Sequence, residues 1–341
     1  MRHVASACGE TLDSAPNRPM AHRSSWSALA TLAVFAFLVG AMPSTANAQT
    51  ELVASGAALD VHTHIASPFL TDHFTGGGTP AVGAEDLIAR LDEANVARAI
   101  ILSAGYFGEG GGLPDDTNMV PENDFAAAEV AKYPDRLIGF CGINPRFEGA
   151  AAEVDRCLDL PGMVGVKLHM AGSAVNLTRR EDVAGLSAVF DRVDELNAPV
   201  LIHVSDELGG TPDNQRWAAL AEILGAHPNV RVTHAHCAGN IDNRAIETWL
   251  RVRGSGYNPE TSFVDVSACL EFHADAPLAE RELMVWRLRK WGIDHVLFGS
   301  DYFVLFGETP KEALETLIKY PFTQAELDTI LSNDGSAWLG R

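Results

Sequence analysis

Basic residues are scarce in this chain: 25 Lys and Arg stand against 45 Asp and Glu, a formal charge of −20 over 341 residues. Neutralising a phosphate backbone or an anionic membrane surface takes clustered cations, so nucleic acid and such membranes are excluded as expected partners. A small anionic substrate is not excluded, because one or two local cations suffice for it. Long apolar runs are missing too. The longest, 28–42, falls short of the roughly 20 residues that span a bilayer. There is no run of like charges, no internal repeat and no low-complexity stretch beyond Gly76-Gly77-Gly78. Cysteine is sparse, five in all, and without zinc-site spacing. Cys141, Cys237 and Cys269 fall in or beside expected strands, and buried free thiols are the expectation for them and for Cys157.

The N-terminus carries a targeting pattern. From Met20 a short positive region with Arg23 precedes the apolar run, and Ala46-Asn47-Ala48 is a small-residue cleavage site. Residues 1–48 therefore read as a secretory signal peptide, with 1–19 a start-site extension and Met20 the expected start. Residues 49–341 are then expected as one exported domain, periplasmic or secreted from a bacterium, with no membrane partner after cleavage.

Within that domain, short β-branched or apolar runs alternate with stretches of helical periodicity. Strands are predicted at 59–64, 97–103, 137–143, 163–169, 200–204, 230–236, 262–268 and 295–301. Helices are predicted at 84–95, 122–133, 148–158, 181–196, 214–226, 241–252 and 278–291, with one or two more after Thr309. Eight strand-then-helix units imply an α/β fold, the (β/α)8 TIM barrel, which commonly runs to about 250 residues as a single domain.

Barrel enzymes react at the C-terminal ends of their strands, and the polar residues there are of metal-binding type. Strand 1 ends with His62 and His64, strand 4 with Lys167 and His169, strand 5 with His203, strand 6 with His234 and His236, and strand 8 with Asp301. Alternation along a strand puts His62 with His64, Lys167 with His169, and His234 with His236 on shared faces. Imidazole and carboxylate together suit zinc, manganese or iron and leave room for a bound water whose pKa the ion lowers. Weaker candidates surround the mouth: Arg146 and His273 for substrate, and the glycine-rich loop 107–114 as a lid.

The chain resembles the amidohydrolase superfamily, in its amidohydrolase-related branch of metal-dependent hydrolases and aminocarboxymuconate-semialdehyde decarboxylase-like enzymes. Carrying the resemblance are Asp60-Val61-His62-Thr63-His64, Gly165-Val166-Lys167-Leu168-His169, Val200-Leu201-Ile202-His203, Thr233-His234-Ala235-His236-Cys237-Ala238-Gly239, Leu297-Phe298-Gly299-Ser300-Asp301 and Ile330-Leu331-Ser332-Asn333-Asp334. It implies one divalent ion, zinc with manganese or iron as alternatives, on His62, His64, His203 and Asp301. His236 would orient or deprotonate a water, and Asp301 would relay a proton to the leaving group. His234 departs from the family pattern and is expected as an inward-facing core histidine or a deeper partner of the site. Lys167 is expected to contact substrate, as is His169; the other reading of Lys167, a carboxylated bridge between two ions, is the less favoured one. The implied reaction is hydrolysis of a small amide, ester or lactone. The alternative is nonoxidative decarboxylation of a small unsaturated or aromatic acid on nearly the same ligands. A metal-binding protein without catalysis is a third and weaker reading, since a degenerate site would have lost part of this set.

Overall fold

Apolar strands set between amphipathic helices bury both of their faces only as a parallel sheet covered by those helices. The computed structural model has this form; it describes residues 52–78, 80–113, 118–204, 213–239, 250, 258–303 and 307–341, with 213–217 described in their backbone alone. The strands are β1 (Asp60–His64), β2 (Ala99–Leu102), β3 (Leu137–Gly142), β4 (Met163–His169), β5 (Val200–His203), β6 (Val232–His234), β7 (Ser262–Asp265), β8 (Val296–Leu297) and β9 (Tyr302–Phe303). They pair in the order β8-β7-β6-β5-β4-β3-β2-β1-β9. β8 and β9 are two pieces of one interrupted eighth strand, the first paired with β7 and the second with β1, in both cases parallel. Between them the ring is closed by Val61 N–H donating to the Phe298 carbonyl (3.0 Å) and Asp301 N–H donating to the His62 carbonyl (2.8 Å). The fold is a (β/α)8 barrel.

Around it lie α1 (Pro68–Thr75), α2 (Ala84–Glu93), α3 (Met119–Val130), α4 (Ala150–Leu158), α5 (Arg180–Glu195), α6 (Asp213–Ala226), α7 (Leu278–Trp291), α8 (Pro310–Leu317), α9 (Gln324–Ser332) and α10 (Ser336–Leu339). α1 was not predicted, yet its start is encoded: Ser67 Oγ accepts from Leu70 N–H (3.2 Å), and Pro68 sits in the first turn, where a missing N–H costs nothing. α8 and α9 each open with a reciprocal capping box, Thr309 with Glu312 and Thr323 with Glu326. The signal-peptide segment, the loop tip at Pro114 and, Leu250 apart, the helix predicted at 241–252 lie outside the described residues.

Two apolar clusters divide the strand residues by alternation. Ile100, Leu102, Ile138, Phe140, Leu201, Phe263 and Leu297 join Trp338 in one. Their sequence neighbours Ala99, Ile101, Leu137, Cys141, Val200, Ile202, Val264 and Val296 join the helices in the other. Cys141 and Cys157 meet in this second layer as a disulfide between β3 and α4, and Cys237 pairs with Cys269. The expectation of free thiols is thereby corrected: the cysteines are buried but paired, Cys141 on β3 facing Cys157 on α4, and Cys237 meeting Cys269 where the chain turns after β6 and β7.

Trp338, on α10, is fully buried against Phe140, with ring centroids 5.1 Å apart. It plugs the N-terminal end of the barrel, where the Arg231 guanidinium, just before β6, donates to its carbonyl (2.6 Å). Its indole N–H has no partner among the described residues, so the contribution is packing rather than hydrogen bonding. Trp338→Ala is expected to cost about 3–5 kcal/mol in urea unfolding, and Trp338→Phe, which keeps a ring and removes the unpaired donor, less than half of that.

Candidate metal centre

At the C-terminal ends of the strands the chain leaves extended geometry abruptly. His236, Cys237 and Ala238 have φ of 55°, 56° and 65°, Ala268 52° and Asp301 58°, the left-handed region that side chains with a Cβ seldom occupy. The turn at 236–238 is why strand 6 stops sooner than predicted. It also corrects the expectation that His234 and His236 share a face. His234 is buried between sheet and helices with its ring 5.5 Å from Trp291 of α7, so it is a core histidine facing outward rather than inward. The turn at 236 instead swings His236 into the cavity at the barrel mouth.

That cavity, of about 140 Å³, is lined by His62, His64, Lys167, His169, His203, His236 and Asp301 together with Ala104, Tyr106, Phe107 and Phe303. Ligand atoms of His62, His64 and Asp301 lie within 4.8 Å of one another. Asp301 Oδ1 is 3.1 Å from His62 Nε2 and 3.4 Å from His64 Nε2. Gly299 lies close behind them: a Cβ there would stand 3.0 Å from His62 Cβ and 3.2 Å from Ser267 Cβ, tighter than side chains ordinarily pack.

The partners of the imidazoles fix their tautomers. His62 Nδ1 faces Asp265 Oδ2 (3.0 Å) and His64 Nδ1 faces the Leu102 carbonyl (3.0 Å). Carboxylate and carbonyl oxygens only accept, so both Nδ1 atoms carry the proton and both Nε2 atoms keep a lone pair. His236 Nδ1 faces the Ser267 carbonyl (3.1 Å), which leaves its Nε2 to accept from His203 Nδ1 (3.1 Å). His203 Nε2 is thus also unprotonated, and it is buried without a partner among the described residues. An orphaned buried acceptor costs about 1–3 kcal/mol, and one on a residue that lines the same cavity as His62, His64 and Asp301 fits a divalent cation as its partner. His169 differs. Its Nδ1 accepts from Gly172 N–H (3.0 Å), so its Nε2 bears the hydrogen and suits donation to a substrate oxygen rather than ligation.

Burial governs the electrostatics. Desolvation lowers the pKa values of His62, His64, His169 and His203, and neighbouring positive charge, Lys167 foremost at His62, lowers them further. Lys167, fully buried with Nζ 3.2 Å from His62 Nε2, is brought down to about 8 by burial against the pull of Asp301 and Asp265. Burial alone would raise Asp301, but the surrounding imidazoles, His62 foremost and then His236 and His64, hold it well below the usual carboxylate range. Asp60, beneath them, is raised by burial to about 7 although its Oδ1 accepts from His62 N–H and Ser300 N–H (both 3.1 Å).

The loop after β2 forms one wall. Tyr106 stacks on His169 (5.0 Å between centroids), which stacks on His203 (3.9 Å). Gly108 N–H donates to the Gly172 carbonyl (3.0 Å), and a Cβ on Gly110 would stand 1.8 Å from the Ala171 carbonyl oxygen, so only glycine lets the two loops approach. Arg146 and His273 are not among the cavity-lining residues. Arg146 is engaged by carboxylates, with Nη1 2.7 Å from Glu109 and Nε 3.6 Å from Asp182.

Two residues of β7 and its end were missed in the sequence. Asp265, completely buried, accepts at Oδ1 from His236 N–H (2.9 Å), Ser267 N–H (3.1 Å) and Ser267 Oγ–H (2.6 Å), while Oδ2 faces His62. Ser267 Oγ also lies 3.1 Å from His62 Nδ1 and 3.0 Å from His236 Nδ1. The available signal was an aspartate inside an apolar strand, Ser262-Phe263-Val264-Asp265-Val266-Ser267, with Ser267 two residues on.

Among curated proteins, none matches the chain in sequence. Solved structures share its fold. A probable 2-pyrone-4,6-dicarboxylic acid hydrolase from Acinetobacter baumannii, with citric acid bound, is 18% identical at a TM-score of 0.56, covering 84% of this chain and all of the other. An amidohydrolase from Burkholderia multivorans with bound zinc is 11% identical at a TM-score of 0.59, over 83% of this chain and 99% of the other. A 5-carboxyvanillate decarboxylase from Novosphingobium aromaticivorans, complexed with manganese and 4-hydroxy-3-methoxy-5-nitrobenzoic acid, is 14% identical at a TM-score of 0.58, over 84% of this chain and 96% of the other. The family model described as Amidohydrolase matches residues 59–333, most of the chain, and the chain belongs to that family.

Proposed function

We propose that this protein is a metal-dependent hydrolase of a small amide, ester or lactone, with His62, His64, His203 and Asp301 holding one divalent ion. The observation that carries the reading is the meeting of the unprotonated Nε2 atoms of His62 and His64 at one oxygen of Asp301 in a buried cavity that His203 also lines. Such an ion supplies a Lewis acid and lowers the pKa of a coordinated water toward neutrality. The chain's own groups do the rest. Asp301, kept ionised, takes a proton and passes it to the leaving group. His236 Nε2, which accepts from His203 Nδ1 here, becomes a proton acceptor at the cavity wall when that bond is released. His169 Nε2–H and the Lys167 ammonium are set to hold an anionic oxygen of the substrate, and Tyr106, Phe107 and Phe303 exclude water and favour a planar group.

Decarboxylation of a small aromatic or unsaturated acid is the second reading. It is favoured by the same aromatic wall and buried Lys167, and by the substituted benzoic acid bound to the manganese-containing decarboxylase relative. Hydrolysis needs a water in line with a carbonyl, whereas decarboxylation needs a donor to protonate the ring carbon. Zinc is the proposed ion, since nitrogen ligands predominate. Export to an oxidising compartment is proposed as well, on the cleavage-site pattern at Ala46-Asn47-Ala48 and the two disulfides.

Elemental analysis of protein beginning at Gln49 is expected to find about one zinc, manganese or iron per chain, lost in the His62→Ala, His64→Ala double variant. Two ions per chain would make Lys167 a carboxylated bridge, and none under any reconstitution would sink the assignment. In a panel of lactones, esters, amides and hydroxybenzoates, hydrolysis products without carbon dioxide release are expected. Carbon dioxide release with protonated arene would establish the second reading instead.

A further inference from the structure

We infer that Asp265 is a positioning residue that sets the tautomer of His62 and so decides whether its Nε2 faces the centre as a ligand. This deepens the metal reading of the site and rests on it. The carboxylate is completely buried on β7, and both of its oxygens are committed. Oδ1 collects three donors, His236 N–H at 2.9 Å, Ser267 N–H at 3.1 Å and Ser267 Oγ–H at 2.6 Å. Oδ2 is left to His62 Nδ1 at 3.0 Å. One side chain therefore joins β1, the left-handed turn after β6 and the end of β7.

The division of labour makes the consequence of an amide replacement definite. In Asp265→Asn a single oxygen remains, and three donors converge where Oδ1 stands, so the oxygen stays there and the NH2 group takes the place of Oδ2. That NH2 then faces His62 Nδ1–H, donor against donor. The pair is relieved when His62 moves its proton to Nε2 and accepts through Nδ1. Amide-for-carboxylate replacement behind a functional histidine produces this wrong tautomer with the geometry otherwise kept. His62 Nε2 then carries hydrogen toward Asp301, 3.1 Å away, and has no lone pair for a cation. Ser267 is subordinate: without its hydroxyl, Oδ1 keeps two backbone donors and Oδ2 keeps His62.

The test reads tautomer and metal binding separately. Long-range proton–nitrogen NMR spectra of the metal-free chain from Gln49 onward, labelled at histidine nitrogen and assigned with His62→Ala, should show His62 protonated at Nδ1 in the wild type and in Ser267→Ala, and at Nε2 in Asp265→Asn. Zinc competition against a chromophoric chelator should show about 10- to 100-fold weaker binding in Asp265→Asn, the range typical when a carboxylate behind a ligand histidine is lost. A merely structural role would lower the melting temperature of Asp265→Asn without moving the tautomer, and that result overturns the proposal. So does unchanged zinc affinity beside a wild type that binds zinc. If Asp265→Asn does not fold, the wild-type spectrum decides, because His62 protonated at Nε2 there is incompatible with a carboxylate-set tautomer. A wild type that binds no zinc overturns the metal reading and the ligand part of the proposal, while the spectra still decide whether Asp265 orients His62.

Discussion

Closure of the barrel and assembly of the site depend on the same backbone hydrogen bond. The eighth strand is interrupted after Leu297, and the ring is completed where Asp301 N–H donates to the carbonyl of His62 at 2.8 Å. The two residues whose side chains meet at 3.1 Å in the cavity are thus already held together through their main chains. A parallel barrel that closed elsewhere along β1 would bring a different residue of the eighth strand to His62. With strand register specified by which residues fill the interior, the packing of Phe140, Leu201, Phe263, Leu297 and Trp338 at the closed end fixes the register that the histidines inherit at the open end.

The balance of charge in the cavity follows from which groups burial neutralises and which it does not. Removing an ion from water costs several kcal/mol unless a partner compensates it. The imidazoles avoid that cost by staying neutral, and Lys167 comes within reach of neutrality at about 8. Asp301 goes the other way because imidazoles surround it, and Asp265 collects donors on both of its oxygens. What remains is a lining with one carboxylate, one ammonium and several nitrogen lone pairs, backed by the buried Asp265, a set of groups that suits a cation.

Much of this was legible in the sequence. All eight strand positions, the helices predicted between them that fall on described residues, and the residues His62, His64, Lys167, His169, His203, His236 and Asp301 follow from periodicity and from the rule that barrel chemistry sits at strand ends; the structure lines one cavity with those seven. The left-handed turns were not legible, since Ala238, Ala268 and Cys237 carry no signal for positive φ, and alternation consequently misplaced His234. Arg146 was read as open to substrate because its partners, Glu109 and Asp182, come from other loops. Cysteine pairing depends on which faces of β3 and α4 meet, and spacing alone does not encode that. Asp265 was overlooked because its neighbours are apolar and its role exists only through residues 203 and 29 positions away in sequence.

Holding non-glycine residues in the left-handed region costs of order 1–3 kcal/mol each and persists only where surrounding structure over-determines it. At the barrel mouth that surrounding structure is specific. Cys237, inside the turn, is bonded to Cys269, which directly follows Ala268, so the two strained segments brace each other across β6 and β7. Asp265 and Ser267 bind the same turn from the other side through His236 N–H and Nδ1. The strain purchases orientation. With His236 fixed, its Nε2 accepts from His203 Nδ1, and His203 Nε2 is left as a lone pair; with the adjoining loop fixed, Gly172 N–H makes the opposite choice for His169. Residues of one chemical type thereby become ligand or donor according to whether their inner nitrogen meets an oxygen, another imidazole's lone pair or an N–H, and backbone geometry far more than histidine content makes the cavity a site.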